Sequence, residues 1–169
     1  MSVQPLPPPP ALTLDLERPQ DAAAIEALLD RAFGPGRFTK VSERVRELAD
    51  FAPELSFCAW EDRRLVGVVR QWRVAVGETP VVFLGPLAVE QAQRSGGVGG
   101  LLVERACEAA EAAGEVAVLL VGDQPYFSRF GFSAGAARQA RLPGPVDPRR
   151  VLARLFGDTP DLSGPVRPR

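Results

Sequence analysis

Leu12, Leu14 and Leu16 alternate with polar neighbours, which predicts a strand over Ala11 to Leu16 with one apolar face. Pro19 is placed for the first turn of a helix, and Ala22, Ile25, Leu28, Leu29 and Ala32 recur at helical spacing until Phe33-Gly34-Pro35-Gly36 breaks the pattern. Val41, Val45 and Leu48 predict a second helix, stopped at Phe51-Ala52-Pro53. Three apolar runs follow, Leu55 to Trp60, Leu65 to Val76 and Val81 to Val89, separated by Glu61-Asp62-Arg63-Arg64 and Gly77-Glu78-Thr79-Pro80. Runs joined by such short polar turns predict an antiparallel meander. Pro86 lacks the N–H that a central ladder needs, so it marks a bulge or an edge, where backbone amides beyond it are left free for something other than protein.

Beyond the meander, Val98, Leu102, Ala106, Ala109, Ala110 and Ala113 form the inward stripe of a third helix, with Glu104, Glu108 and Glu111 on its solvated face. Those three carboxylates run in a row and do not converge, so they read as a surface and not as a metal site. Gly114 caps this helix, and Val116 to Val121 has the composition of a buried parallel strand. Gly122-Asp123-Gln124-Pro125 opens a short helix, Tyr126 to Phe130, closed by Gly131. Ala137 to Leu142 and Val151 to Phe156 are read as the two strands of a terminal hairpin, followed by an irregular tail over residues 158–169. At the other end, residues 1–10 hold five prolines and are expected to be a disordered tail.

At 169 residues with 46% hydrophobic content, the chain has the size of one domain with its own core. A formal net charge of -1 provides no basic field for nucleic acid. Lys40 is the only lysine, and the arginines that supply the other basic residues are accounted for by a genome rich in G and C. No histidine is present, and Cys58 and Cys107 have no paired spacing, which removes zinc sites, a Ser/His/Asp triad and a Cys/His dyad. Both cysteines read as small buried hydrophobes. No apolar stretch is long enough to span a bilayer and the N-terminus lacks a signal-peptide pattern, so no membrane partner and a cytoplasmic location are expected.

Between the last meander strand and the third helix lies Arg94-Ser95-Gly96-Gly97-Val98-Gly99-Gly100. Its glycines let backbone N–H groups approach a ligand, and a helix beginning there adds unsatisfied amides and the positive end of its dipole. The turn is therefore a seat for phosphate or pyrophosphate. It lacks the Gly-Lys-Ser/Thr of a P-loop, and Leu102 stands where a dinucleotide fingerprint needs its third small residue. It does fit Gln/Arg-x-x-Gly-x-Gly/Ala, preceded by Gly85-Pro86-Leu87-Ala88-Val89.

With Phe83-Leu84-Gly85-Pro86-Leu87-Ala88-Val89 upstream and Leu120-Val121-Gly122-Asp123-Gln124-Pro125-Tyr126-Phe127-Ser128-Arg129-Phe130-Gly131-Phe132 downstream, the chain resembles the GNAT superfamily of N-acetyltransferases. Within it, the chain looks like the YhbS-like bacterial group, over about residues 11–157. The resemblance implies an α/β (α+β) fold with a mixed, mostly antiparallel sheet, splayed central strands and flanking helices. It implies acetyl-CoA as co-substrate, no metal, and a small-molecule or peptide amine as acceptor. Leu87, Ala88 and Val89 would pair with the pantetheine arm and supply the oxyanion donor, while Arg94, Ser95, Gly96, Gly97, Val98, Gly99 and Gly100 would hold the pyrophosphate. Many members protonate the departing thiolate with a tyrosine four residues before the last Gly-Phe glycine; here that position is Phe127, beside the cofactor, and Tyr126 next to it is the general-acid candidate. For a general base the sequence leaves Glu61, Glu78, Glu90, Asp123 and a water chain open; Phe33, Phe38 and Trp72 read by default as aromatic core packing, with a place in the acceptor walls as the alternative. A non-catalytic acyl-CoA sensor and a partner-binding domain are the rival readings, as monomer or homodimer.

Overall fold

The computed structural model describes residues 4–5 and 11–169, so most of the proline-rich segment expected to be a tail lies outside the described residues. Nine strands form one sheet among the described residues. Strand β1 (Leu12–Leu16) pairs antiparallel with β3 (Phe57–Glu61), β3 with β4 (Arg64–Val76), and β4 with β5 (Thr79–Val89), which is the expected meander. The two-residue β2 (Asp50–Phe51) also lies on β4. Parallel pairing joins β5 to β6 (Ala117–Val121), and β8 (Val151–Leu155) lies antiparallel on the far side of β6.

Helix α3 (Val98–Ala112) covers one face of the sheet, and α1 (Ala22–Phe33) and α2 (Val41–Leu48) cover the other. The period-two alternation of the strands decides which side chains each helix meets. Val82, Leu84, Val118 and Leu120 pack with Leu102, Val103, Ala106, Cys107 and Ala110 of α3. The intervening Val81, Phe83, Ala117 and Leu119 pack with Val45 of α2, while Ile25, Leu28 and Leu29 of α1 sit on Cys58, Val68 and Ala88. The stripe of α3 differs from the sequence expectation at its end. Ala113 lies beyond the helix and is exposed, and Val103 is buried instead, beside Cys107, whose burial was expected.

Gln71, fully buried on β4, ties α3 to the sheet: its Nε2 donates to Leu55 O at 2.8 Å and to Ala106 O at 2.9 Å. Bulging occurs where Pro86 predicted it. Val69 faces Leu87 and Gln71 faces Leu84, so Gly85 and Pro86 together stand opposite Arg70. Trp72 packs against the core, its default reading, and donates from its indole Nε1 to Gly85 O at 2.6 Å, which fastens the bulge.

The C-terminal third departs from the sequence expectation. Ala137 to Leu142 and Val151 to Phe156 do not form a hairpin, because β8 pairs with β6 while β7 (Gln139–Arg141) pairs with β9 (Ser163–Arg167). The segment after Gly157, expected to be irregular, thus contains a strand, which lies antiparallel on the end of β4 at Ala75 and Val76. Pro165 O accepts from Gly77 N–H at 2.9 Å, and the segment's Gly- and Pro-rich composition hid a pairing that neighbours far away in sequence impose. No helix among the described residues is long and apolar enough to cross a membrane.

Candidate active site

The parallel partners β5 and β6 pair only at Val82 with Val118 and at Phe83 with Leu119. Past that point β5 continues against β4 alone and β6 against β8 alone, so the two part into a V. The bulge at Gly85-Pro86 begins as the pairing ends, which takes the following backbone of β5 out of any ladder with β6.

At the open end, β5 runs into a 3-10 turn, Gln91–Gly96, and Gly97 then adopts φ 80°, the left-handed region that glycine enters without strain, to start α3. The first helical bond is Leu101 N–H to Gly97 O at 3.1 Å, so the amides of Val98, Gly99 and Gly100 have no partner within the helix. Arg94 Nε donates back to Val89 O at 3.2 Å and closes the turn. A Cβ placed on Gly96 or Gly97 would meet nothing within 4 Å, so the bend is open and not filled by protein.

A cavity of about 740 Å³ lies over this turn. Leu87, Ala88, Val89, Arg94, Ser95, Gly97, Gly99, Gly100 and Tyr126 line it. Of the other residues singled out for the cofactor, Val98 turns its side chain into the core, Gly96 is exposed beside the cavity, and Phe127 does not reach it. Arg129, which sequence reasoning missed, also lines it, with its guanidinium 4.7 Å over the Tyr126 ring. Its position in a short helix within an arginine-rich chain carried no signal of its own.

A second cavity, of about 510 Å³, fills the V, between Phe83 to Leu87 of β5 and Leu120 to Asp123 at the end of β6. The two cavities share Phe33, Leu87 and Tyr126. Phe33 is therefore a wall of both, whereas Phe38 lines neither and lies under Arg37.

Tyr126 and Phe127 are the last two residues of a short helix, α4 (Gln124–Phe127), and their rings meet edge-on with centroids 4.9 Å apart. Phe127 packs on Phe132 and on Gly122, one edge of its ring reaching the V cavity. Tyr126 stands edge-on to Phe127 and Phe130, with its hydroxyl toward α3. Burial raises its pKa above the ordinary value of 10.0, with Arg129 opposing, so the hydroxyl carries its proton at neutral pH.

Among the carboxylates left open as a base, Asp123 lines the V cavity. Glu61 is held by Gln93, Glu90 pairs with Arg31, and Glu78 sits fully out in solvent at a hairpin end with Arg167; none of the three lines either cavity. Arg37, Lys40, Arg46, Asp147 and Arg150, the last with its Nε 3.9 Å from Asp123 Oδ1, also line the V, and the sequence pointed to none of them.

Residues 22–132 match the family model described as acetyltransferase (GNAT) family. The chain is 31% identical over 137 residues to an uncharacterized N-acetyltransferase, YhbS, of Escherichia coli K12, an alignment covering 79% of this chain and 81% of that one. The crystal structure of E. coli YhbS in complex with CoA superposes with a TM-score of 0.79 at 26% identity, covering 98% and 94% of the two chains. A GNAT family acetyltransferase from Brucella melitensis, solved with acetyl-CoA, gives a TM-score of 0.70 at 27% identity over 94% and 96%. Parting strands, an open glycine bend and agreement along nearly the whole chain lead to one assignment: this protein belongs to the GNAT acetyltransferase family, with YhbS among its relatives.

Proposed function

We propose that this protein is an acetyl-CoA-dependent N-acetyltransferase that moves the acetyl group directly to a primary amine of a small molecule or peptide, within a ternary complex. The observation that carries this reading is the separation of β5 from β6 after Phe83, with two cavities that meet at Leu87 and Tyr126. Acetyl-CoA is the co-substrate. Its pyrophosphate takes the amides at the start of α3 together with Arg94, and its pantetheine arm runs along Leu87 to Val89, adding a strand in the space that β6 has vacated.

The acceptor enters from the V cavity. Its neutral nitrogen attacks the thioester carbonyl, the C–N bond forms, and the oxyanion takes a backbone N–H near Leu87 to Val89. Collapse breaks the C–S bond, and the Tyr126 hydroxyl supplies the proton that the departing thiolate takes up. The proton lost by the amine leaves through water toward Asp123, the carboxylate on that side of the cleft among those considered. The transferase unit comprises residues 11–157, with β9 packed on its sheet.

Phe127, at the position where many members carry tyrosine, favours one rival, a domain that binds acyl-CoA without turning it over. A panel of primary amines with acetyl-CoA, followed by thiol release and by mass of the product, separates the two. Amine-dependent thiol release with a product heavier by one acetyl group is expected. Acetyl-CoA binding with no release above hydrolysis across the panel favours the sensor, and no thermal stabilisation by acetyl-CoA at about a hundred times a micromolar affinity, where about 2.7 kcal/mol is due, excludes both.

A further inference from the structure

The V cavity is asymmetric in charge. The segment from the end of α1 through α2 lends it Arg37, Lys40 and Arg46 and no carboxylate, while Asp123 after β6, Asp147 before β8 and Arg150, whose Nε lies 3.9 Å from Asp123 Oδ1, stand on the side of the opposing strands. The cations differ in how far they are already neutralised. Arg37 is held by Glu26 at 2.6 Å and Asp30 at 3.2 Å. Arg46 has a single acceptor among the described residues, Glu43, which takes Nη2 at 2.7 Å. Lys40 has no carboxylate within 4 Å among the described residues and lies 4.7 Å over the ring of Phe33, the wall common to both cavities.

Arg46 is also where a buried cation is least comfortable. Its side chain is 11% exposed, and burial lowers its pKa below the ordinary arginine value, with Arg37 and Arg70 adding repulsion. Its free Nη1 lies 3.6 Å from the position of a Cβ on Gly85, at the floor of the V. A planar guanidinium with one edge spent on Glu43 and the other turned into a cavity is suited to a carboxylate or phosphate.

Gly85 and Leu87 are two residues apart on one strand, at most about 7 Å. A bound molecule that reaches from Arg46 to the thioester beside Leu87 therefore has its anion and its reacting nitrogen separated by only a few bonds. Resting on the transferase reading above, we infer that the acceptor is a small zwitterion, a primary amine carrying a carboxylate or phosphate group that Arg46 and Lys40 bind, with its nitrogen on the Asp123 side.

Matched acceptors test this with the full-length protein and acetyl-CoA: free amino acids, their carboxamides, O-phosphoethanolamine and ethanolamine. A kcat/KM higher by roughly tenfold or more for the anionic member of a pair is expected, because a site built for a charged group is left unpaired by the neutral one. Amino acids alone, or the phosphoamine alone, preferred over the neutral partner tells which anion is read. Arg46→Met lowers the anionic-to-neutral ratio by roughly tenfold, toward unity, through KM. Should that variant fail to fold, the exposed Lys40→Gln lowers the same ratio and Lys40→Glu inverts it. Equal or better use of the neutral amines overturns the inference and leaves the transferase reading standing. If no amine turns over, calorimetry in the presence of CoA decides: selective binding of the anionic amines supports the anion site while the transferase reading fails, and no selectivity overturns the site as well.

Discussion

The Tyr126 hydroxyl oxygen lies 2.9 Å from the point that a Cβ on Gly99 would occupy. Real Cβ atoms do not tolerate that approach, so the glycine exists there to let a side chain from α4 reach the first turn of α3. Gly99→Ala pushes the ring of Tyr126 off the cleft junction and narrows the approach to the helix amides. Loss of acetyl-CoA affinity by about tenfold, the equivalent of about 1.4 kcal/mol, is expected by calorimetry. The melting temperature does not fall in parallel, since alanine is the better helix former by about 1 kcal/mol. Unchanged affinity refutes this use of Gly99.

Tyr126→Phe separates proton donation from packing, because the ring stays and the hydroxyl goes. A kcat lower by roughly ten- to a hundredfold, with KM for acetyl-CoA little changed, is the expected result. Because burial keeps the hydroxyl protonated past its ordinary value of 10.0, the wild-type profile shows no inflection from this group near neutrality and falls only on the strongly alkaline side. That alkaline limb disappears in the variant. A pH–rate profile in which both proteins fall together would remove Tyr126 from the chemistry.

Phe127 lies against Gly122, which offers its ring space. A Cβ on Gly122 would stand 2.8 Å from Phe127 Cδ2 and 3.2 Å from Leu120 Cδ1, so Gly122→Ala overpacks the end of β6. A loss of about 1–3 kcal/mol is expected, read as a lower urea midpoint at constant slope. A midpoint within error of wild type shows that the ring can move aside without cost.

Burial pushes the Cys58 thiol up to about 12 and the Cys107 thiol up to about 11, from an ordinary value of 9.0. Neither is a thiolate at pH 8, so iodoacetamide modifies them only when the chain unfolds. The unfolded state releases these protons first, so their contribution to stability is complete below pH 9 and is lost as pH rises through 9 toward 11 and 12. Modification faster than unfolding, followed by intact mass, would show that one of them is reachable in the native state.

Much of the frame was legible because it rests on local demands of the backbone. Pro86 cannot donate to a ladder, Gly97 enters the left-handed region, and the alternation along β5 and β6 suits strands covered on both faces. The partner of β8 was not legible. Val151 to Phe156 is equally apolar against β7 or against β6, and only the closed sheet, with β6 otherwise exposed at its far edge, decides between them. The same holds for the tail: Ser163–Arg167 has weak strand propensity and becomes a strand because the end of β4 and β7 offer it ladders.

By itself the sequence determined that an apolar strand ends in a side-chain-free bend at the head of a helix, because bond geometry and the lack of Cβ atoms act over a few residues. Tertiary structure alone decided that the bend opens onto a parted pair of strands, that Tyr126 and not Phe127 reaches it, and that Arg46 and Lys40 meet Asp123 across one cavity. Those contacts join segments tens of residues apart, and their side chains are placed by packing, which no local pattern of hydrophobic and polar residues records.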